Sequence, residues 1–231
     1  MLNFSNFEVL TFDCYGTLID WETGIFTALK PVLVAHGKSI TDDQLLELYG
    51  EFESQAEAGE YRPYREVLRS VVRAFGERLA FTPTVEEVDS LSNSVTKWRP
   101  WPDTVRALKK LSTRYRLAII SNIDDDLFQA TRQYLPVEFD SVTTAKQAAC
   151  YKPALDIFKM ALNKGGVSPA CILHVGQSIY HDVLPAQSLG LATAWINRPS
   201  PRPGVGAVKP AQGKPDLEVP DLESLAKLAV G

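Results

Sequence analysis

The chain has 231 residues, 45% hydrophobic and 23% charged, and a net charge of −4 at pH 7. That is enough for one sizeable core with an insert, and the absence of a long basic run argues against a nucleic-acid partner. Its apolar stretches are too short to span a membrane, and Met1-Leu2-Asn3-Phe4-Ser5 lacks the basic and apolar regions of a signal peptide, so a cytoplasmic protein with no membrane partner is expected. The three cysteines, Cys14, Cys150 and Cys171, are scattered without metal-ligand spacing and read as reduced thiols.

Val9-Leu10-Thr11-Phe12 is an apolar run of strand length that ends in Asp13, Gly16 and Thr17. Trp21 to Gly37 reads as a helix, with Ile25, Leu29, Val32 and Leu33 near one face and Gly37 as C-cap. Thr41 starts a second helix as N-cap, with Gln44 in the capping-box position. Pro63 interrupts the pattern inside Tyr61-Arg62-Pro63-Tyr64-Arg65. A third helix carries Val67, Leu68, Val71, Val72 and Phe75, and a fourth runs from about Pro83 to Lys97. After the stiff connection Arg99-Pro100-Trp101-Pro102-Asp103 the pattern changes. A helix starts at Asp103 or Thr104, Arg116–Ile120 is a buried strand ending at Ser121-Asn122, and a helix covers Asp124–Tyr134. Ser141–Ala145 is a short strand, and Lys152-Pro153 precedes a helix over Ala154–Lys164. Cys171–Val175 is a strand ending at Gly176-Gln177-Ser178, followed by a helix through Asp182–Leu189 and a strand at Ala192–Ile196. Residues 199–215 are a Pro/Gly-rich loop, Asp216–Val219 an edge strand, and Leu222–Leu228 a final helix.

Alternating strands and helices after residue 98 predict an α/β, Rossmann-like parallel sheet. The expected organisation is a core of residues 1–18 and 97–231, with a helical cap of residues 19–96 inserted after the first strand and lying over the strand ends.

Four polar clusters follow apolar strands: Asp13 through Thr17, Ser121-Asn122, Lys152, and Gly176-Gln177-Ser178 through Asp182. In an open α/β sheet the carboxyl ends of strands converge on one ligand-binding edge, so an Asp, a hydroxyl, a Lys and a second Asp should meet in one pocket. Singly each has an ordinary explanation: Asp13 and Asp182 as caps, Ser121 and Asn122 as a helix start, Lys152 as a solvated surface charge. Cys14 is a weaker candidate nucleophile, because no His lies near it in sequence to activate it.

In that order the four clusters resemble the motifs of the haloacid dehalogenase (HAD) superfamily, over essentially the full length and including the cap. Leu-Thr-Phe-Asp-Cys-Tyr-Gly-Thr-Leu and the closing Ala-Trp-Ile-Asn-Arg at Ala194–Arg198 look most like the L-2-haloacid dehalogenase (type II) branch. The resemblance implies the HAD fold and a hydrolase working through an aspartyl-ester intermediate on Asp13. It matches Ser121, Lys152 and Asp182 to the second, third and fourth motifs. Thr17 is expected to hold Asp13, Lys152 to offset its charge, and Asp182 to activate the water that cleaves the ester, with the adjacent His181 as the alternative base.

Two departures bear on the leaving group. Phosphatases of the superfamily carry an acid two residues after the nucleophile, where this chain has Tyr15. They also carry a Mg²⁺-binding carboxylate where it has Gln177, and an amide is a poor ligand for a hard dication. Halide needs neither acid nor metal to leave. Dehalogenation of small 2-haloacids is therefore the expected activity, without metal or other cofactor. A Mg²⁺-dependent phosphatase acting on a small phosphorylated metabolite and a non-catalytic binding protein are the alternatives. A further departure concerns the early cap helix, which lacks the Arg that such dehalogenases carry. Arg62 and Arg65 are the candidate substitutes for binding the substrate, alongside Tyr15, Asn122, Gln177, Ser178 and Tyr180, with Trp21 as an apolar wall. Phe158 stands where a Tyr is expected. The oligomeric state is open, with a homodimer among the alternatives.

Overall fold

Val9–Phe12, strand β1, is buried at every position because it runs through the middle of a sheet covered on both faces. The computed structural model describes residues 2–198 and 206–231. Its sheet holds β1, β2 (Arg116–Ser121), β3 (Ser141–Thr144), β4 (Ile172–Gly176), β5 (Ala192–Ile196) and β6 (Leu217–Val219), all parallel, in the order β3-β2-β1-β4-β5-β6. The chain leaves β1 in one direction through β2 and β3, then returns to place β4 on its other side. That reversal opens a crevice beyond the carboxyl ends of β1 and β4, where such sheets bind ligands.

Between β1 and β2 lie α1 (Trp21–Ala35), α2 (Asp42–Glu57), α3 (Tyr64–Leu79), α4 (Val85–Ser94) and α5 (Thr104–Leu111). Their starts follow the sequence. Asp20 Oδ1 accepts from Thr23 N–H at 3.1 Å, and Thr41/Gln44 and Thr84/Glu87 both form reciprocal capping boxes. α1 continues through Pro31. α3 begins at Tyr64, after Pro63, which has no side-chain acceptor to offer. Asp124, from the loop beyond β2, supplies it: its carboxylate accepts the Tyr64 N–H at 3.0 Å and the Arg65 N–H at 3.2 Å. A carboxylate from the sheet thus caps a helix of the insert. One buried hydrophobic cluster continues from Leu10 and Phe12 on the sheet to Tyr49, Val67 and Phe75 on the inserted helices.

After β2 come α6 (Asp125–Arg132), α7 (Ala145–Ala148), α8 (Leu155–Gly165), α9 (Leu184–Ser188) and α10 (Leu222–Val230). Two features depart from the sequence reading. α7 is a single extra turn, and the helix expected from Asp182 opens earlier, as a π-helical turn over Ile179–Val183. Of the Pro/Gly-rich loop, residues 199–205 lie outside the described residues. Residues 206–215 fold back over α2, where a Cβ on Gly50 would sit 2.5 Å from the Ala207 carbonyl oxygen. Among the described residues no helix is long and apolar enough to cross a membrane.

Candidate active site

Asp13 follows β1 directly, and its N–H still donates to Val175 O, so its carboxylate is launched from the sheet edge. The turn that aims it needs Gly16: φ is +95°, and a Cβ there would lie 2.1 Å from Gln177 Oε1. Thr17 Oγ1 donates to Asp13 Oδ2 at 2.7 Å while accepting the Gln177 N–H at 2.9 Å, tying the first strand end to the fourth. Cys14 points into the core, where burial foremost and then the charge of Asp13 push its thiol well above the usual range. It is no thiolate nucleophile.

Lys152 is the centre of the cluster. Its ammonium, 2% exposed, donates to Asp13 Oδ1 at 2.8 Å, Asp182 Oδ1 at 2.7 Å and Ile120 O at 3.1 Å, which uses all three protons. Burial alone would lower its pKa, but the two carboxylates raise it above that of free lysine. Burial foremost raises Asp13, and the charge of Asp182 adds to that against the pull of Lys152. Burial also works against ionisation of Asp182, yet Lys152 and His174 together hold it below the usual carboxylate range. Asp182 fits against β4 only because Gly176 has no Cβ, which would come 2.5 Å from Asp182 Cβ. Ser178 N–H donates to Asp182 Oδ2 at 3.2 Å.

The other predicted residues divide. Ser121, Asn122, Gln177, Ser178 and Tyr15 all line the same pocket. Asn122, expected to meet substrate, also clamps Lys152: its Oδ1 accepts the Lys152 N–H at 2.7 Å and its Nδ2 donates to Lys152 O at 3.2 Å. The Tyr15 hydroxyl is held by Thr131 Oγ1 at 2.7 Å. Tyr180 lies in an adjoining outer cavity, under the Lys209 ammonium. Arg62 and Arg65 correct the expectation placed on them, since neither lines the pocket. Arg62 donates outward to Ala56 O, and Arg65 pairs with Asp126 at 2.7 Å. Both flank the α3 start that Asp124 caps, so their backbone is fixed with the guanidinium groups facing away. His181 and Asp182 both line the pocket, although neighbours on an α-helix diverge; the wider π turn accommodates the two. His181 is kept neutral, its pKa lowered by burial to about 4, and Ser178 Oγ lies 3.1 Å from its Nδ1.

The family model described as haloacid dehalogenase-like hydrolase matches residues 7–190. The chain belongs to the haloacid dehalogenase-like hydrolases. Among curated relatives, an (S)-2-haloacid dehalogenase of Xanthobacter autotrophicus is 26% identical over 193 residues, covering 83% of this chain and 75% of the relative. A glyceraldehyde 3-phosphate phosphatase of Methanothermobacter thermautotrophicus is also 26% identical, over 196 residues, covering 82% and 85%. The solved L-2-haloacid dehalogenase from Xanthobacter autotrophicus superposes with a TM-score of 0.79 at 23% identity, covering 97% of this chain and 99% of that one. That likeness establishes the shared fold.

This haloacid dehalogenase-like hydrolase has a site wall that its sequence motifs do not contain. Glu53 and Glu57 of α2, Tyr64 of α3, Trp21 of α1 and Val208 line the pocket together with Asp13. Glu53 Oε1 accepts the hydroxyls of Tyr49 at 2.8 Å and Tyr64 at 2.5 Å. Burial pushes Glu53 up to about 7, against those two hydrogen bonds and with help from the charge of Asp13. His174 was missed as well. It lies inside an apolar strand run, with Nδ1 2.9 Å from Thr11 Oγ1 and Nε2 3.4 Å from Asp182 Oδ1. Phe158 packs edge-on against it, away from the pocket.

A carboxyl whose folded pKa lies above its unfolded value stabilises the fold below the unfolded pKa and loses that contribution as pH rises through the folded one. For Glu53 the window runs from 4.5 to about 7. Glu53→Gln, which keeps an acceptor for both tyrosines, should match the parent near pH 4.5. It should be more stable near pH 8, by on the order of 3 kcal/mol at most. Denaturant unfolding at the two pH values measures this, and equal stability differences at both would refute it.

A magnesium ion, which the family's phosphatases would need, does not fit the residues present. The facing oxygens of Asp13 and Asp182 are both taken by Lys152. Gln177 offers an amide, and among the described residues no group of three His, Cys, Asp or Glu side chains is arranged around a common point.

Proposed function

We propose that the protein is a metal-independent hydrolase that displaces halide from a small 2-haloacid through an ester on Asp13. The observation that carries this is the pairing of an intact Asp13–Lys152–Asp182 centre with a Tyr15 hydroxyl committed to Thr131 and with Gln177 at the fourth motif. Nothing at those two positions supplies a proton or a metal to a poor leaving group, and halide requires neither.

In the first step an Asp13 carboxylate oxygen attacks the carbon bearing the halogen. A C–O bond forms, and the halide departs with the C–X electron pair. In the second, water attacks the ester carbonyl, the acyl–oxygen bond breaks, and a 2-hydroxyacid leaves with Asp13 restored. Whichever Asp13 oxygen has been alkylated, the other keeps a donor, Lys152 or Thr17, that stabilises the developing oxyanion. Asp182, ionised in the resting site, orients the water, accepts its proton as the tetrahedral centre forms and returns that proton to the departing 2-hydroxyl oxygen.

A phosphate-ester reading draws on the phosphatase relative and on Glu53, a carboxyl that stays protonated to about pH 7 and could stand in for the missing acid. Against it, a phosphate dianion would enter a pocket lined by Asp13, Asp182, Glu53 and Glu57, with Lys152 the one basic Lys or Arg side chain among its described lining residues. The decisive assay is a panel of 2-haloacids with a chelator present, scored for halide release, with mass spectrometry of the Asp13 peptide after one turnover in heavy-oxygen water. Halide release and label on Asp13 are expected. Magnesium-dependent hydrolysis of an aryl phosphate with no halide released would overturn the reading.

A further inference from the structure

Glu53 and Glu57 lie four residues apart on α2, so both side chains face the pocket from one side. Neither forms an ion pair with a basic side chain among the described residues. Glu57 stands where the inner pocket meets the outer cavity, and Lys152 and His181 also line both. Glu53 is fixed by two tyrosine hydroxyls on one oxygen. Burial foremost, and Glu53's charge after it, push Glu57 well above the usual range. The pocket therefore gathers four carboxyl groups around a single ammonium, and an arriving cation would favour ionisation of Glu53 and Glu57.

The same pocket also offers neutral donors beside Asp13. Ser121 Oγ and Trp21 Nε1 are buried hydrogen-bonding groups with no partner, in side chains 1% and 8% exposed. An unpaired buried donor is costly, and a bound acceptor satisfies it. Trp21 Nε1 lies beside Gly16, on the turn that carries Asp13.

We infer that Glu53 and Glu57 receive a protonated amine on the substrate, while Ser121 and Trp21 hold its carboxylate. The substrate is then a small zwitterion, a 2-haloacid with an ammonium group further along its chain. This rests on the reading of Asp13 as the reacting centre. It explains how a haloacid's carboxylate enters an acidic pocket without a cap arginine. The negative end meets two neutral donors beside Asp13, and the positive end faces the Glu53–Glu57 wall. A plain alkyl haloacid would bring that wall no cation.

The test separates binding from turnover. Calorimetry with 4-aminobutanoate and butanoate, unreactive analogues with and without the amine, is expected to show the amino acid binding roughly tenfold tighter or better. That preference should vanish in Glu53→Gln/Glu57→Gln, with its fold checked by circular dichroism. Glu57→Gln alone, at the mouth, should lose part of it and serves if the double variant fails to fold. Equal or tighter binding of butanoate, no measurable binding of 4-aminobutanoate, or a preference that survives in the variants would overturn the inference. Halide release from 2-chloro-4-aminobutanoate reports on the reaction separately. If the amine preference is found and no halide appears, the dehalogenation reading fails and the amine receptor stands.

Discussion

Asp13→Asn should lower kcat/KM by roughly four orders of magnitude or more while leaving the fold intact. The amide keeps an acceptor for Lys152 and fits the space held by Thr17, but it lacks the charge and lone-pair basicity needed to displace a leaving group from carbon. The loss should fall on the first step, so single-turnover experiments should show neither product nor an alkylated Asp13 peptide. Circular dichroism and a thermal melt close to the parent's would confine the effect to chemistry. Activity within about a hundredfold of the parent would move the nucleophile elsewhere in the pocket.

Lys152→Met should be the most damaging substitution for stability. It leaves Asp13 and Asp182 buried and facing one another without a counter-charge, and breaking a buried pair in this way costs about 3–5 kcal/mol. For a chain of this size that is a fall in Tm on the order of 10 °C. The sign with pH follows from the carboxylates. Without the ammonium both folded pKa values rise, so the variant comes closest to the parent in acid, where both groups are protonated, and falls behind as pH rises through them. Thermal melts near pH 4 and pH 8 would show the deficit widening; a deficit that shrank toward pH 8 would contradict the placement of the charges. Turnover should be lost at every pH, since among the described residues no other side chain bonds both carboxylates.

What the sequence disclosed, it disclosed through strand ends. Apolar runs that stop at Asp13, Ser121 and Gly176 announce both the parallel sheet and the edge where its polar residues collect, because period and topology together fix where a strand delivers its last side chain. Lys152, eight residues after β3, was legible through the order of the motifs rather than through periodicity. The side of the pocket built by α1, α2 and α3 was legible only as helices. Glu53 was overlooked among the acidic residues of α2, although it lies four residues after Tyr49 and so falls on the buried face. That register was the available signal. Arg62 and Arg65 misled because their charge suited a carboxylate, while their direction depended on Asp124, distant in sequence and invisible to local pattern. His174 was hidden by an apolar strand that tolerates a polar side chain because Thr11 and Asp182 satisfy both ring nitrogens. The π turn at Ile179–Val183 leaves no periodic trace in so short a segment.

Asp124 gives the molecule a fastening with a second duty. The same carboxylate that joins α3 to the sheet edge also finishes the first turn of that helix, so the two cannot be undone separately. Lifting the helices away from the strand ends strips two amides of their acceptor, an expense of about 1 kcal/mol for a lost cap, and frays the turn that carries Tyr64. Tyr64 in turn steadies Glu53. A molecule with those helices lifted would therefore be less ordered around Tyr64 and Glu53, both of which line the pocket. Hydrogen exchange at the Tyr64 and Arg65 amides, which Asp124 accepts, would report such lifting.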